Sequence, residues 1–349
     1  MGSPRERSGW LDATGDLGNS AGVAPGSFSV RRLSAARVAV FGHPVLDRYL
    51  YGVTHRISRE APVLIVREES EALYLGGAGN TAANLAGLGA STFMVGPRGD
   101  DREGAQLTEL FEAQGVDARG LLAGTAASTV TKTRVLAGGL HTTRQQMLRI
   151  DRESDEPPSE AACERLLEAA LSTLDHVDAV IVSDYGEGAL LDVWLPAARA
   201  ARQRGLPVVA DSRHSIMRFE GVSAVTPNEP EAEAALGLTI RTPARALDAA
   251  RALRERLGLD AALLTRGKEG MVVATADGAE ALPAVGGDAV DVTGAGDTVA
   301  ATLAAGLAVG APTVEAAWLA NLAASVVVQK TGTVAISLSE LDAAAEAHR

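Results

Sequence analysis

The chain's apolar positions fall into two patterns that take turns along most of its length. Short apolar runs predict strands at residues 37–41, 91–95, 179–183, 207–211, 224–226 and 261–265. Amphipathic or Ala-rich stretches between them predict helices at 81–88, 103–114, 160–174, 191–204, 229–236, 244–257, 295–309 and 313–329. Strand-helix alternation of this kind argues an α/β fold, with a mostly parallel sheet covered by helices on both faces. Two stretches break it. Residues 49–74 have little helical character, and 129–149 read as two strands around Gly138–Gly139. Both look like β-excursions that could build a small sheet over a site. Residues 1–34 are rich in Gly, Ser, Pro and Arg without periodicity, and are expected to be a flexible tail, leaving 35–349 as one domain.

Composition narrows the functional classes. Of the 349 residues 46% are hydrophobic, which excludes a disordered or fibrous chain. With 44 acidic against 32 basic residues the net charge is −12, a poor match for phosphate backbones, so no nucleic-acid partner is expected. Cys163 is the sole cysteine, so the sequence offers neither an intramolecular disulfide nor a cysteine metal cluster, in keeping with a cytoplasmic protein. The longest apolar runs, 177–182 and 323–328, fall far short of the ~20 residues of a membrane span, so no membrane partner is expected.

The sharpest chemical signal is Asp291-Val-Thr-Gly294-Ala295-Gly296-Asp297, a Gly-rich turn opening a helix of small residues. Backbone N–H groups of Gly294, Ala295 and Gly296 there would form an anion site. Asp297 either caps the helix or takes a proton from a nucleophilic hydroxyl. A second turn, Gly76-Gly77-Ala78-Gly79-Asn80, formally meets the dinucleotide fingerprint but lacks an acidic residue at a strand end about 20 positions on, leaving an NAD-dependent oxidoreductase as a remote alternative. Asn228 and Glu231 at a strand-helix junction are either a capping box or holders of hydrated Mg²⁺. The turn Thr265-Arg-Gly267-Lys-Glu-Gly270 is either a plain hairpin or a loop facing phosphate and ribose. All of these stand at carboxyl ends of strands, where open α/β sheets bind ligands.

Together these motifs, spread from about residue 37 to 341, resemble the ribokinase-like, PfkB family of carbohydrate kinases. The second family signature is matched by Asp291–Ala301. The first is matched by Gly76–Asn80 with Ala82, Leu88 and Gly89, and the family's magnesium and phosphate motif by Asn228-x-x-Glu231. A narrower set is similar to the bacterial D-glycero-β-D-manno-heptose 7-phosphate kinases. It comprises Leu46-Asp47-Arg48-Tyr49, Tyr51-Gly52, Arg56-Ile57-Ser58, Glu60-Ala61-Pro62-Val63, Thr131-Lys132-Thr133-Arg134-Val135, Gln145-Gln146 with Leu148-Arg149-Ile150-Asp151, Ser183-Asp184-Tyr185 and Lys330-x-Gly332-Thr333. In many bacteria such a kinase is fused to an adenylyltransferase; no HxGH-type nucleotidyl motif occurs in this sequence.

The resemblance implies a three-layer α/β/α fold with a β-sheet lid at about 48–75 and 128–150, through which homodimers form. It also implies ATP-dependent phosphorylation of a sugar phosphate at O1, with Mg²⁺ and a monovalent cation, K⁺, as cofactors. Asp297 would act as base and Gly294–Gly296 would stabilise the phosphoryl oxygens. Asp47, Gly76, Gly77, Asn80 and Asp184 would meet the sugar, and Arg56, Arg134 and Arg149 its distal phosphate. Thr265, Gly267, Gly270 and Asn321 would line the nucleotide, Asn228 and Glu231 would organise Mg²⁺, and Asp291 would attend the monovalent cation. Departures lie at the sugar end. His43 stands where these kinases carry Asp, Glu187 where they carry Lys, Ser212-Arg213 replaces Pro-Lys, and 138–144 lengthens a hairpin. A PfkB kinase for another sugar is the alternative.

Overall fold

The computed structural model describes residues 28–348 except 139–143, 155, 187, 288, 331 and 333, and gives the backbone alone for His55 and Arg56. The main sheet is built from β1 (Arg37–Gly42), β4 (Ser91–Arg98), β5 (Asp117–Ala123), β8 (Ala179–Asp184), β9 (Val208–Ser212), β10 (Ala224–Val225), β11 (Ala261–Thr265), β12 (Met271–Thr275) and β13 (Gly278–Leu282). Their order is β13-β12-β11-β10-β9-β8-β1-β4-β5. All neighbours from β11 to β5 are parallel, and the hairpin β11-β12-β13 adds an antiparallel edge.

The strand runs are continuously apolar because both faces are buried. Val38, Val40 and Ile181 join one core, with α1 (Ala78–Gly87), α7 (Ala295–Ala308), α8 (Thr313–Val327) and α9 (Leu338–Ala347). Ala39, Phe41, Val180 and Val182 join the other, with α3 (Glu160–Thr173), α4 (Gly188–Gln203), α5 (Glu229–Leu236) and α6 (Pro243–Leu257). The helix α2 (Arg102–Ala113) lends Leu107 and Phe111 to the first core. Three layers result, as the alternation and the resemblance implied.

The two excursions form a separate four-stranded sheet, β3-β2-β6-β7, from β2 (Pro44–Ile57), β3 (Leu64–Gly77), β6 (Thr131–Gly138) and β7 (Gln145–Arg152). The strands β2 and β6 pair in parallel; the outer pairs are antiparallel. Register irregularities fall at Tyr51/Gly52 and Thr54/Arg56 in β2 and at Val135/Leu136 in β6, and Tyr51 stands opposite Leu136. The expected hairpin extension at 138–144 lies largely outside the described residues.

Residues 28–34, expected to belong to the flexible tail, are packed against the fold. Phe28, Val30 and Leu33 are buried in the first core, and a 3₁₀ turn spans Val30–Ala35. Polar ties hold the segment: Phe28 N–H donates to Glu315 (3.1 Å), Arg31 pairs with Asp342 (3.0 Å) and Arg32 donates to the Val309 carbonyl (2.8 Å). Its apolar residues follow neither a helical nor a strand period, so no pattern announces them. Helix α9 was also unanticipated, although its capping box, Ser337 with Glu340, is legible as Ser-x-x-Glu.

Candidate active site

Helix α7 begins at the carboxyl side of the main sheet with Gly294 in the left-handed conformation (φ 82°), a position that favours glycine. A methyl group on Gly296 would meet no protein atom nearer than 4.0 Å. Its glycine therefore keeps backbone N–H groups open to a ligand instead of relieving a clash. One residue on, the Asp297 side chain turns inward and is 4% exposed. Its Oδ2 accepts from Asn80 Nδ2 (2.7 Å), and its Oδ1 from Thr81 Oγ1 (3.0 Å) and the Tyr185 hydroxyl (2.7 Å). Burial pushes this carboxyl above the ordinary range, and these three donors hold it partly down. Asn84 locks the frame, accepting from Thr298 (2.9 Å) and Ile336 N–H (3.1 Å) while donating to the Asn80 carbonyl (2.8 Å).

Beside Asp297 the carboxyl end of β9 presents Asp211, hydrogen-bonded to Thr226 Oγ1 (3.2 Å). Burial and the negative charges of Asp297 and Glu231 push Asp211 up to about 8. Burial also raises Glu231, opposed by its bond from the Asn228 N–H and by Arg213. Asn228 and Glu231 form the capping box in both directions, each bond 2.9 Å, and both line the cleft. Capping and ligand-facing roles thus coincide here. Arg213 offsets part of the negative charge of Asp297, Asp211 and Glu231. Among the described residues no three acidic, histidine or cysteine side chains are grouped to hold a metal ion directly, so a divalent cation beside Asn228 and Glu231 would be held through its waters.

Where the nucleotide is expected, Thr265 N–H bonds to the Pro227 carbonyl (2.9 Å), joining the β11 end to the Asn228 turn. Gly267 and Gly270 carry positive φ (53° and 84°), and Thr265, both glycines and Asn321 line the cleft. Asn321 Nδ2 donates to the Pro283 carbonyl (2.8 Å). Asp291 lies behind the turn, accepting from the Thr293 (2.9 Å) and Gly332 (3.0 Å) N–H groups. Thr331 and Thr333 of that loop lie outside the described residues.

At the opposite end, the lid brings Asp47, Lys132, Arg134 and Arg149 to the cleft wall. Arg134 stands opposite Arg149 across β6 and β7. Each guanidinium has its own carboxylate: Arg134 pairs with Asp47, and Arg149 with Asp151 in two bonds of 2.7 and 2.6 Å. A side chain on Gly76 would run into the Asp47 carboxylate, and one on Gly77 (φ 56°) into the His43 carbonyl. Asn80, expected against the sugar, is buried and donates its amide to Asp297. Asp184 lines the cleft, and its oxygens accept from Gly186 N–H (2.9 Å) and Ser212 Oγ (2.7 Å). The Arg56 side chain and Glu187 lie outside the described residues. His43 and Arg213 line the cleft.

Sequence reasoning gave no role to Thr81, Tyr185 or Asp211. Thr81 and Tyr185 reach Asp297 across 216 and 112 residues, a juxtaposition no local motif encodes. Asp211 did leave a signal, as a carboxylate ending an otherwise apolar, doubly buried strand.

Comparison with known proteins agrees with this geometry. The bifunctional protein HldE of Trichlorobacter lovleyi is 41% identical over 317 residues, covering 90% of this chain and 64% of that protein. Its counterpart from Caulobacter sp. (strain K31) is 43% identical over 315 residues, covering 89% and 63%. The chain thus spans less than two thirds of these relatives. Among solved structures, phosphofructokinase-2 from Escherichia coli in complex with potassium superposes with TM-score 0.71 at 18% identity, covering 90% of this chain and 99% of that one. Arabidopsis thaliana ribokinase complexed with ribose and ATP does so with TM-score 0.67 at 20% identity, covering 89% and 99%. These two share the fold. Residues 35–340 match the model of the pfkB family of carbohydrate kinases, and the chain belongs to that family.

Proposed function

We propose that the protein transfers the γ-phosphoryl group of ATP to O1 of D-glycero-β-D-manno-heptose 7-phosphate, giving the 1,7-bisphosphate. The observation that carries this reading is a single cleft of about 1520 Å³ with Asp297 and the Gly294–Gly296 turn in one part and Lys132, Arg134 and Arg149 in another. A sugar carrying a distal phosphate satisfies both parts. Arg134 and Arg149, like charges placed opposite each other, gain a shared counter-ion when a phosphate docks between them.

In the reaction the O1 hydroxyl gives its proton to Asp297, and the oxygen's electron pair forms the new bond to the γ-phosphorus. The bond from that phosphorus to the β,γ-bridging oxygen breaks, its electron pair leaving with ADP. The N–H groups of the Gly294–Gly296 turn stabilise charge on the transferring oxygens. Asn228 and Glu231 would hold Mg²⁺ through its waters, and the ion, when bound, neutralises phosphate charge. The reading includes K⁺ beside Asp291: burial raises that carboxyl, but the Thr293 and Gly332 N–H bonds outweigh it and hold it low, so it stays ionised for a cation. It also includes a homodimer through the lid. Supporting this, Ile57, Leu64 and Ile65 are exposed on β2 and β3, as are Leu148 and Ile150 on β7. Strand alternation puts Leu148 and Ile150 on the face opposite Arg149 and Asp151.

A second reading, a different sugar phosphate as acceptor, draws on His43, which lines the cleft where the resembling kinases carry aspartate. The test is ADP release from ATP·Mg²⁺ against a panel. It contains D-glycero-D-manno-heptose 7-phosphate, sedoheptulose 7-phosphate, fructose 6-phosphate, fructose and ribose, with the product's phosphorylated position read by ³¹P NMR. A heptose 1,7-bisphosphate is the expected product. Turnover on another member alone transfers the assignment to that sugar.

A further inference from the structure

Tyr185 sits on a turn between β8 and α4 that is clasped from several sides. Asp184 accepts from the Gly186 N–H (2.9 Å) and from Ser212 Oγ (2.7 Å), and its carbonyl accepts from the Arg213 N–H (3.0 Å). Ser212 Oγ accepts in turn from the Ser215 N–H (3.0 Å). Above the ring lies the Arg213 guanidinium, 5.4 Å from the centroid, a cation–π contact that fixes the aromatic plane. So held, the hydroxyl lies 2.7 Å from Asp297 Oδ1.

The direction of this bond is settled chemically. Burial and the negative charges of Asp297 and Asp211 push the phenol well above its ordinary range, so Tyr185 keeps its proton and donates. Thr81 donates into the same Oδ1 (3.0 Å), whereas Oδ2 receives the Asn80 amide (2.7 Å). A carboxylate oxygen offers about two lone-pair directions. Among the described residues, then, Oδ1 is filled and Oδ2 retains one acceptor direction.

Resting on the reading of Asp297 as base, we propose that Tyr185 is its positioning residue. By filling Oδ1 together with Thr81 it leaves Oδ2 to take the acceptor proton, and by donating to the charged carboxylate it keeps the buried base ionised. The proton then passes from the sugar hydroxyl to Oδ2 while the O–H electron pair remains on the oxygen that attacks phosphorus. The other charged groups facing Asp297 are Asp211 and Arg213 from the end of β9. Glu231 on α5 acts through Asp211, and His214 faces Glu231. The side presented by α1 is neutral: Asn80, Thr81 and Asn84.

The test is Tyr185→Phe, which keeps the ring and its Arg213 contact and removes the hydroxyl. With ATP·Mg²⁺ and D-glycero-D-manno-heptose 7-phosphate, or the panel sugar that turns over, kcat falls about tenfold or more, as for one charge-assisted hydrogen bond. Both KM values stay within about twofold, because no ligand contact is lost. The acid limb of the kcat–pH profile moves up by about one unit, because the charged form of the base has lost a donor. Without any substrate, the variant's melting deficit relative to wild type is larger at about pH 8 than at about pH 5, since the missing bond served the ionised form. An unmoved acid limb, or an equal melting deficit at the two pH values, overturns the proposal. Asp297→Asn in the same assay separates the failures. If its kcat stays within about tenfold of wild type, the base assignment itself is wrong; if its kcat falls about 10²-fold or more while Tyr185→Phe leaves the limb unmoved, Tyr185 alone loses its role.

Discussion

Replacing Asp297 by asparagine separates what this residue costs from what it does. The carboxylate is 4% exposed and accepts from three side chains, and burial nonetheless leaves its pKa raised. A folded-state pKa above the unfolded value means that the folded protein prefers the protonated form. The associated stability is present at pH below the unfolded carboxyl range and is lost as pH rises through the raised folded value. Asparagine imitates the uncharged form with nearly the same shape, so Asp297→Asn should melt at or above the wild-type temperature at about pH 8 and close to it at about pH 4. Turnover should move the other way. Loss of a general base costs about 10²–10⁴ in kcat, or ~2.7–5.4 kcal/mol of barrier, while ATP binding by calorimetry is retained. A kcat within tenfold of wild type would refute the base assignment. A melting temperature that falls together with activity would refute the claim that the charge is held at a cost.

The two lid arginines should part company. Arg149→Ala should raise the KM for the sugar phosphate about tenfold with ATP unaffected and melting little changed, because its partner Asp151 is exposed. Arg134→Ala should raise KM similarly and also lower the melting temperature, because it strands the buried Asp47. Equal melting behaviour would contradict this. Asp211, pushed up to about 8, makes the metal-free protein lose stability as pH climbs from the ordinary carboxyl range toward that value. Asp211→Asn should flatten that decline, read from melting curves across pH, and a parallel decline would show that Asp211 is not its source. Leu148→Lys with Ile150→Lys should convert a lid-paired dimer to monomers in sedimentation, and an unchanged mass would place the interface elsewhere.

The anion turn was legible because everything it needs is local: a left-handed Gly294, an open Gly296 and Asp297 lie within four consecutive residues. The sheet was legible for a similar reason, since strands buried on both faces must be apolar throughout. What surrounds Asp297 is another matter. Asn80 belongs to a recognisable Gly-rich turn, yet that turn does not reveal that its amide faces a carboxylate on α7. Asn228 and Glu231 show the opposite limit, because the sequence cannot tell that a capping box also lines the cleft. Phe28, Val30 and Leu33 escaped notice because their burial is dictated by α8 and α9, which lie at the other end of the chain.

The lid is joined to the main body without slack. One residue, His43, separates β1 from β2, and β3 runs straight into α1. Its register irregularities at Tyr51/Gly52 and Val135/Leu136 fall at one level across the sheet, and such breaks bend a strand pair. Asp47, Lys132, Arg134 and Arg149 all lie on the near side of that line. Mechanically the sheet is a cantilever: its clamped root carries groups of the cleft wall, while Ile57, Leu64 and Ile65 lie outboard of the crease. A load on the outboard half is therefore taken up at the crease before it reaches Asp47, Lys132, Arg134 and Arg149 on the cleft wall.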